Sequence, residues 1–151
     1  MLVLWKLLHT FGFVAWFVGL LGTFGLLGLA SRAGDPVARQ TAWAGVRRFV
    51  PYEVAGMILT PISGLFLART IYGAFLPPKV VFVHIKLTLV LLALVGNLAL
   101  LGMRKKAALL APDGGPAYGR TVRAVTVVQA LTTLMLPLAV FVVIIFRYRG
   151  G

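Results

Sequence analysis

Four apolar runs account for most of this 151-residue sequence. They extend over residues 7–30, about 50–75, about 80–103 and about 121–146. Each is long enough for an α-helix to cross the hydrocarbon core of a bilayer, which takes about 20 residues. Backbone N–H and C=O groups find no water at that depth, so a single apolar run is stable there as a helix. Because the connections are short, the sequence predicts one all-α integral membrane domain over residues 1–151. Its four transmembrane helices form an up-down-up-down bundle.

Composition supports this interpretation and excludes other classes. Hydrophobic residues make up 60% of the chain and charged residues only 12%, whereas soluble domains are about a quarter charged. The net charge is +12, but the cations stand at the ends of the apolar runs, so we expect lipid contacts and no nucleic-acid partner. The chain has no cysteine, which excludes disulfides, iron–sulfur clusters, thiolate metal sites and C-x-x-C-H haem attachment.

The distribution of Lys and Arg predicts the orientation of the bundle. The first and third connections with their flanks contain nine of these residues: Arg32, Arg39, Arg47, Arg48, Arg104, Lys105, Lys106, Arg120 and Arg123. The opposite side contains five: Lys6, Arg69, Lys79, Arg147 and Arg149. The positive-inside rule then predicts a multi-pass protein of the cell inner (cytoplasmic) membrane, with both termini outside.

The two histidines of the chain are the candidate metal ligands. His9 lies near the start of the first run and His84 near the start of the third. In the predicted topology these helices run parallel, so both imidazoles lie at similar depth near the outer face. Two helices that each offer one imidazole suit a b-type haem, ligated from opposite faces. The alternative is that each histidine makes an interhelical hydrogen bond or lies at the membrane interface.

Other side chains fit the same predicted haem site. Trp16 shares the face of His9, and Thr88 shares the face of His84. Arg69, Lys79 and Lys86 are the candidate cations for the haem propionates or for another anionic ligand. Lys86 is two residues from His84 and so points to a different face, and snorkelling to the outer headgroups is its alternative role.

Several residues carry predictions about packing. Glu53, the one acid within an apolar run, is expected to pair with Arg47 or Arg48. Asp35-Pro36 is a good helix start, because Asp caps well and Pro suits the first turn. Trp43 fits an interfacial anchor.

Two patterns predict helix faces that pack inside the bundle. In the first run glycine recurs every third residue, which predicts a ridge that lets another backbone approach: Gly19, Gly22, Gly25 and Gly28. In the fourth run polar residues recur at three- and four-residue steps, which predicts a stripe facing the bundle: Arg123, Thr126, Gln129 and Thr133.

A set of short motifs resembles a known family. They are His9, Trp16, Gly19, Arg47-Arg48, Pro61, Gly64 and His84-Ile85-Lys86-Leu87. This set is similar to the HemJ family and to the wider group of small CopD-like four-helix membrane proteins. The resemblance implies haem binding at His9, with His84 and Lys86 in the matching third-helix motif, and oxidation of protoporphyrinogen IX to protoporphyrin IX. The chain departs from the family pattern at 20–25 and at Gly96-Asn97, where a HemJ chain has further Tyr and His residues.

Two functional hypotheses follow. The first is a membrane redox protein with haem b, either an oxidoreductase of the HemJ type or a transmembrane electron carrier, with a porphyrin or a quinone-type molecule as its small-molecule partner. The second is a non-catalytic subunit that packs in a larger membrane complex. We expect the chain to form a homo-oligomer or to join such a complex.

Overall fold

The computed structural model describes residues 1–77 and 80–149, with side chains as far as Phe146. Within those residues the chain forms four α-helices and no β-strand: α1 (Leu2–Arg32), α2 (Pro36–Tyr72), α3 (Val81–Leu110) and α4 (Pro116–Arg149). All four are long and apolar enough to cross a membrane. The predicted all-α transmembrane bundle is confirmed.

The helices are longer than their apolar runs. The first predicted connection, residues 31–49, is mostly the beginning of α2, and the third shrinks to 111–115. Asp35 is the N-cap of α2, as expected, and its carboxylate accepts a hydrogen bond from the backbone N–H of Ala38 at 2.8 Å. At about 1.5 Å per residue the 37 residues of α2 extend about 55 Å. This exceeds the roughly 30 Å hydrocarbon core, so part of α2 extends beyond the apolar layer.

The helices associate in two pairs. α1 packs along α2, and α3 packs along α4, while α1 and α4 join the two pairs. α2 and α3 approach each other least among the helices that touch. We call their boundary the α2–α3 seam. One end of the bundle, the terminal end, contains the start of α1, the end of α4 and the α2–α3 loop, and the other, the connection end, contains the remaining two connections.

Glycines explain the close α1–α2 pair, and of the ridge that the sequence predicted only Gly19 and Gly22 take part in it. A Cβ added to Gly56 of α2 would lie 2.5 Å from the carbonyl oxygen of Gly12, and one added to Gly19 would lie 2.6 Å from the Glu53 side chain. Gly25 and Gly28 have no such neighbour within 4 Å among the described residues. A three-residue step turns a helix by about 300°, so each glycine in the ridge is rotated about 60° from the one before and the later ones leave the interface.

Two predictions about interior packing need correction. In the fourth-helix stripe Gln129 is fully buried but Arg123 is exposed, because the buried face of α4 follows a different set of positions. Trp43 is not an interfacial anchor but is 2% exposed, and its indole N–H donates to the Tyr118 hydroxyl at 3.2 Å. That hydroxyl donates in turn to the carbonyl of Ala30 at 2.9 Å, so this contact ties α1, α2 and α4 together at the connection end.

Candidate functional site

A cavity of about 620 Å³ opens at the terminal end of the bundle. We call it the terminal cavity. All four helices contribute to its lining, and its volume lies within the range of about 300–1,000 Å³ that is typical of small-molecule sites. Four aromatic side chains contribute to its largely aliphatic wall: Tyr72, Phe75, Phe82 and Phe146. The Phe82 ring lies between two of the others. Its centroid is 6.3 Å from that of Tyr72 and 6.4 Å from that of Phe146.

His9 lines the terminal cavity in a defined tautomer. Its Nδ1 lies 2.9 Å from the backbone carbonyl oxygen of Thr60, and a carbonyl only accepts, so Nδ1 carries the proton. The ring packs closely against α2, because a Cβ added at Gly64 would lie 3.0 Å from its Cε1 atom. The Nε2 atom therefore keeps its lone pair. Histidines that bind metals show this arrangement, with one nitrogen tied to a carbonyl and the other free to coordinate.

Lys86 is the residue that meets His9. Its Nζ lies 3.2 Å from His9 Nε2 and donates to the lone pair there. Both side chains are partly buried and both line the terminal cavity. The Lys86 ammonium therefore stands at the cavity wall, in contact with another helix. Ionisable groups at membrane depth are costly, which favours a functional role for the pair.

His84 lies elsewhere. The residue is exposed, and its Nε2 lies 3.0 Å from the backbone carbonyl of Pro77, to which it donates. Among the described residues it is not part of the cavity lining. The structure thus brings Lys86, and not His84, to His9. Matching depth along two parallel helices leaves helix rotation undetermined, and a two-residue step on α3 turns a side chain by about 200°.

Trp16 and Thr88 also lie outside the lining that the structure describes. Trp16 is fully buried in the middle of the bundle. Thr88 is exposed and donates to the carbonyl of His84 at 2.9 Å, so it supplies no partner to the His84 ring. Leu91 and Val95, on the same face, are 48% and 64% exposed. The His84 face of α3 is therefore exposed on the outside of the bundle and does not line the terminal cavity.

The candidate cations for an anionic ligand also differ in their distance from the terminal cavity. The Arg69 guanidinium lies over the ring of Phe75, 4.9 Å from its centroid, at the margin of the terminal cavity. Lys79 is outside the described residues. Lys6, which the sequence analysis treated only as a topology signal, lines the cavity together with Lys86. Its position one turn before His9 is the signal that would have identified it.

A second polar cluster lies in the middle of the bundle, around Glu53. The Glu53 side chain is fully buried and pairs with Arg104 of α3, with Nη1 and Oε2 2.7 Å apart. The Thr23 hydroxyl of α1 donates to Oε1 at 2.8 Å. The expected partners Arg47 and Arg48 are exposed, so that prediction is wrong. Arg104 stands at the margin of the third apolar run, where it was assigned to a connection.

All four helices complete this cluster, which we call the central network. Gln129 of α4 accepts from Arg104 and donates to the Thr23 hydroxyl at 2.9 Å. With the Asn97 amide oriented to suit both neighbours, its nitrogen donates to Glu53 Oε2 at 3.1 Å and its oxygen accepts from Trp16 Nε1 at 3.2 Å. The carboxylate thus has several donors. A buried charge is tolerated when hydrogen bonds and an opposite charge replace its hydration. The central network therefore has a structural role.

Comparison of the chain with protein-family models, with curated proteins and with solved structures finds no match. The resemblance to the HemJ family stays a prediction from short motifs. The function of the protein is therefore inferred from the geometry of the terminal cavity.

Proposed function

We propose that the protein is a membrane redox protein that binds a b-type haem in the terminal cavity, with His9 as the iron ligand. The observation that carries the proposal is the tautomer of His9. The Thr60 carbonyl holds the proton on Nδ1, so the lone pair of Nε2 lies at the cavity wall, where the Lys86 ammonium donates to it and would be displaced by the iron. Bound haem would supply one-electron oxidation and reduction, and the protein would supply the ligand and the apolar environment.

The residues present suit such a group. The aromatic side chains give flat apolar surfaces for a macrocycle, and Lys6 and Lys86 place two cations at the wall for its propionates. Thr60, whose carbonyl holds the His9 ring, is also a lining residue.

The proposal uses one histidine from this chain. His84 lies outside the described cavity lining, and Lys86 is the α3 residue that meets His9, so this chain would hold the group through His9 alone and Lys86 would be available to its propionates. A single histidine ligand favours oxidation of a lipid-soluble substrate over simple electron transfer. The resemblance to HemJ proteins supports the same conclusion and suggests protoporphyrinogen IX as that substrate.

Visible spectra of the purified protein test the proposal. Protein made with haem available should be coloured, and its reduced form should bind carbon monoxide, because the chain would supply one histidine ligand, His9. His9→Ala should lose most of the haem. His84→Ala is the matched control and should retain it, since that ring is held at the loop by Pro77.

Three results would count against the proposal. A colourless protein, or a His9→Ala variant with an unchanged spectrum, would remove haem binding at this site and leave the accessory-subunit hypothesis. Equal loss of haem in both variants, with a low-spin spectrum and no binding of carbon monoxide, would restore the two-histidine site that the sequence predicts.

A further inference from the structure

A second opening interrupts the α2–α3 seam at the connection end. It is a groove of about 260 Å³, less than half the volume of the terminal cavity. Its α2 wall is formed by positions i, i+3, i+4 and i+7, which lie on one helix face: Trp43, Val46, Arg47 and Val50. We call it the connection groove.

The α3 wall repeats the same spacing. It consists of Leu101, Arg104, Lys105 and Ala108, with Leu109 beside them. Two helix faces of the same design therefore stand opposite each other, where α2 and α3 make few contacts. Both faces combine aliphatic side chains with cations, one on α2 (Arg47) and two on α3 (Arg104 and Lys105).

Two of the three cations that line the groove, Arg47 and Lys105, form no salt bridge within the described residues. The sequence has three acidic residues. Glu53 pairs with Arg104, the Asp35 carboxylate caps α2, and Asp113 lies exposed in the last connection. In the described part of the protein the Arg104–Glu53 pair is the one salt bridge, so Arg47 and Lys105 keep their charges.

Arg104 supplies an independent indication of a ligand. It lines the groove, and its side chain is 4% exposed. Its Nη atoms are engaged by Glu53, Thr23 and Gln129, but its buried Nε has no partner among the residues that the structure describes. A buried N–H without an acceptor is uncommon and costs free energy, and an acceptor in the groove that drew the guanidinium towards it would recover that cost.

We propose that the connection groove binds the headgroup phosphate of an anionic phospholipid. Two uncompensated cations select a headgroup with net negative charge, and the aliphatic part of both walls suits an acyl chain. A free phosphate ion would use the cations but not the apolar walls. Proteins bind anionic lipids in basic pockets between transmembrane helices in this way.

The test uses the full-length protein in a neutral detergent, which removes the field of a bulk anionic membrane. Retention of phosphatidylglycerol and of phosphatidylcholine is measured by native mass spectrometry. Arg47→Gln with Lys105→Gln removes both free cations of the groove and leaves the central network intact. Arg48→Gln with Lys106→Gln is the matched control, since it removes the same charge from exposed neighbours that do not line the groove.

We expect the wild-type protein to retain phosphatidylglycerol in preference to phosphatidylcholine. Each cation near a headgroup contributes about a fivefold increase in affinity, so loss of both should lower the affinity about 25-fold. The control variant should stay close to wild type, and thermal unfolding should show that both variants are folded.

Three outcomes would overturn the proposal. Equal loss in the two double variants would mean unspecific attraction by surface charge. Equal retention of phosphatidylcholine would mean that the groove does not select net charge. Saturable displacement of phosphatidylglycerol by inorganic phosphate alone would identify a site for a soluble anion and not for a lipid.

Discussion

Removal of Arg104 should be among the most damaging single changes in this protein. Arg104→Met keeps most of the aliphatic stem but leaves the Glu53 carboxylate fully buried with Thr23 and Asn97 as its remaining side-chain donors. Loss of one partner of a buried ion pair costs about 3–5 kcal/mol, since the other charge stays uncompensated. We expect the free energy of unfolding to fall by that amount. Arg47→Met is the control, because it removes an exposed cation from α2, the helix that carries Glu53. It should lower the free energy of unfolding by less than about 0.5 kcal/mol.

Reversible unfolding in mixed detergent and SDS micelles would measure both variants. The double variant Glu53→Gln with Arg104→Met completes a thermodynamic cycle. If the pair is coupled, the double variant is less destabilised than the sum of the two single ones by about 2 kcal/mol or more. A cost below 1 kcal/mol for Arg104→Met, or an equal cost for Arg47→Met, would refute the argument that this ion pair organises the core.

Three further predictions concern other parts of the bundle. Gly56→Ala should destabilise the protein by about 1–3 kcal/mol because its Cβ would overlap α1, whereas Gly28→Ala, which meets nothing within 4 Å in the described chain, should be neutral in the same unfolding assay. Lys86→Met should keep the haem but release it faster, by about tenfold, if the ammonium contacts a propionate; an unchanged rate of haem transfer to apomyoglobin would contradict that role. Single cysteines at Ala38 and Asp113 should be labelled by a membrane-impermeant reagent from the cytoplasmic side alone, and labelling from outside would reverse the predicted orientation.

Hydropathy was sufficient to predict the fold because a membrane allows an apolar segment few backbone conformations other than a helix. Each apolar run must satisfy its own backbone, so four runs give four helices. Helix ends were less predictable. Residues 36–49 are rich in Arg and were assigned to a connection, although Arg and Ala favour helix and Asp35 provides a cap.

The site was predictable only in part because side-chain contacts depend on helix rotation. His9 was identified as a candidate ligand from its depth, and the structure places it in the wall of the terminal cavity. His84 was predicted as the second ligand from its matching depth, but the rotation of α3 directs Lys86, and not His84, to His9. Glu53 shows the same limit. Its sequence neighbours Arg47 and Arg48 were the obvious partners, whereas the residue that reaches it is 51 positions away.

The order of features along the α2–α3 seam explains how one small bundle could serve two ligands. On α2 the connection groove reaches Val50, the central network follows at Glu53, and the terminal cavity begins at Thr60. On α3, which runs the opposite way, the same three features occur in reverse order. The network therefore lies between two openings, in a seam where the helices make few contacts. A buried carboxylate without donors at that depth would recruit water and connect the two openings across the bilayer, so the donors that Glu53 receives from Arg104, Thr23 and Asn97 also keep the openings separate.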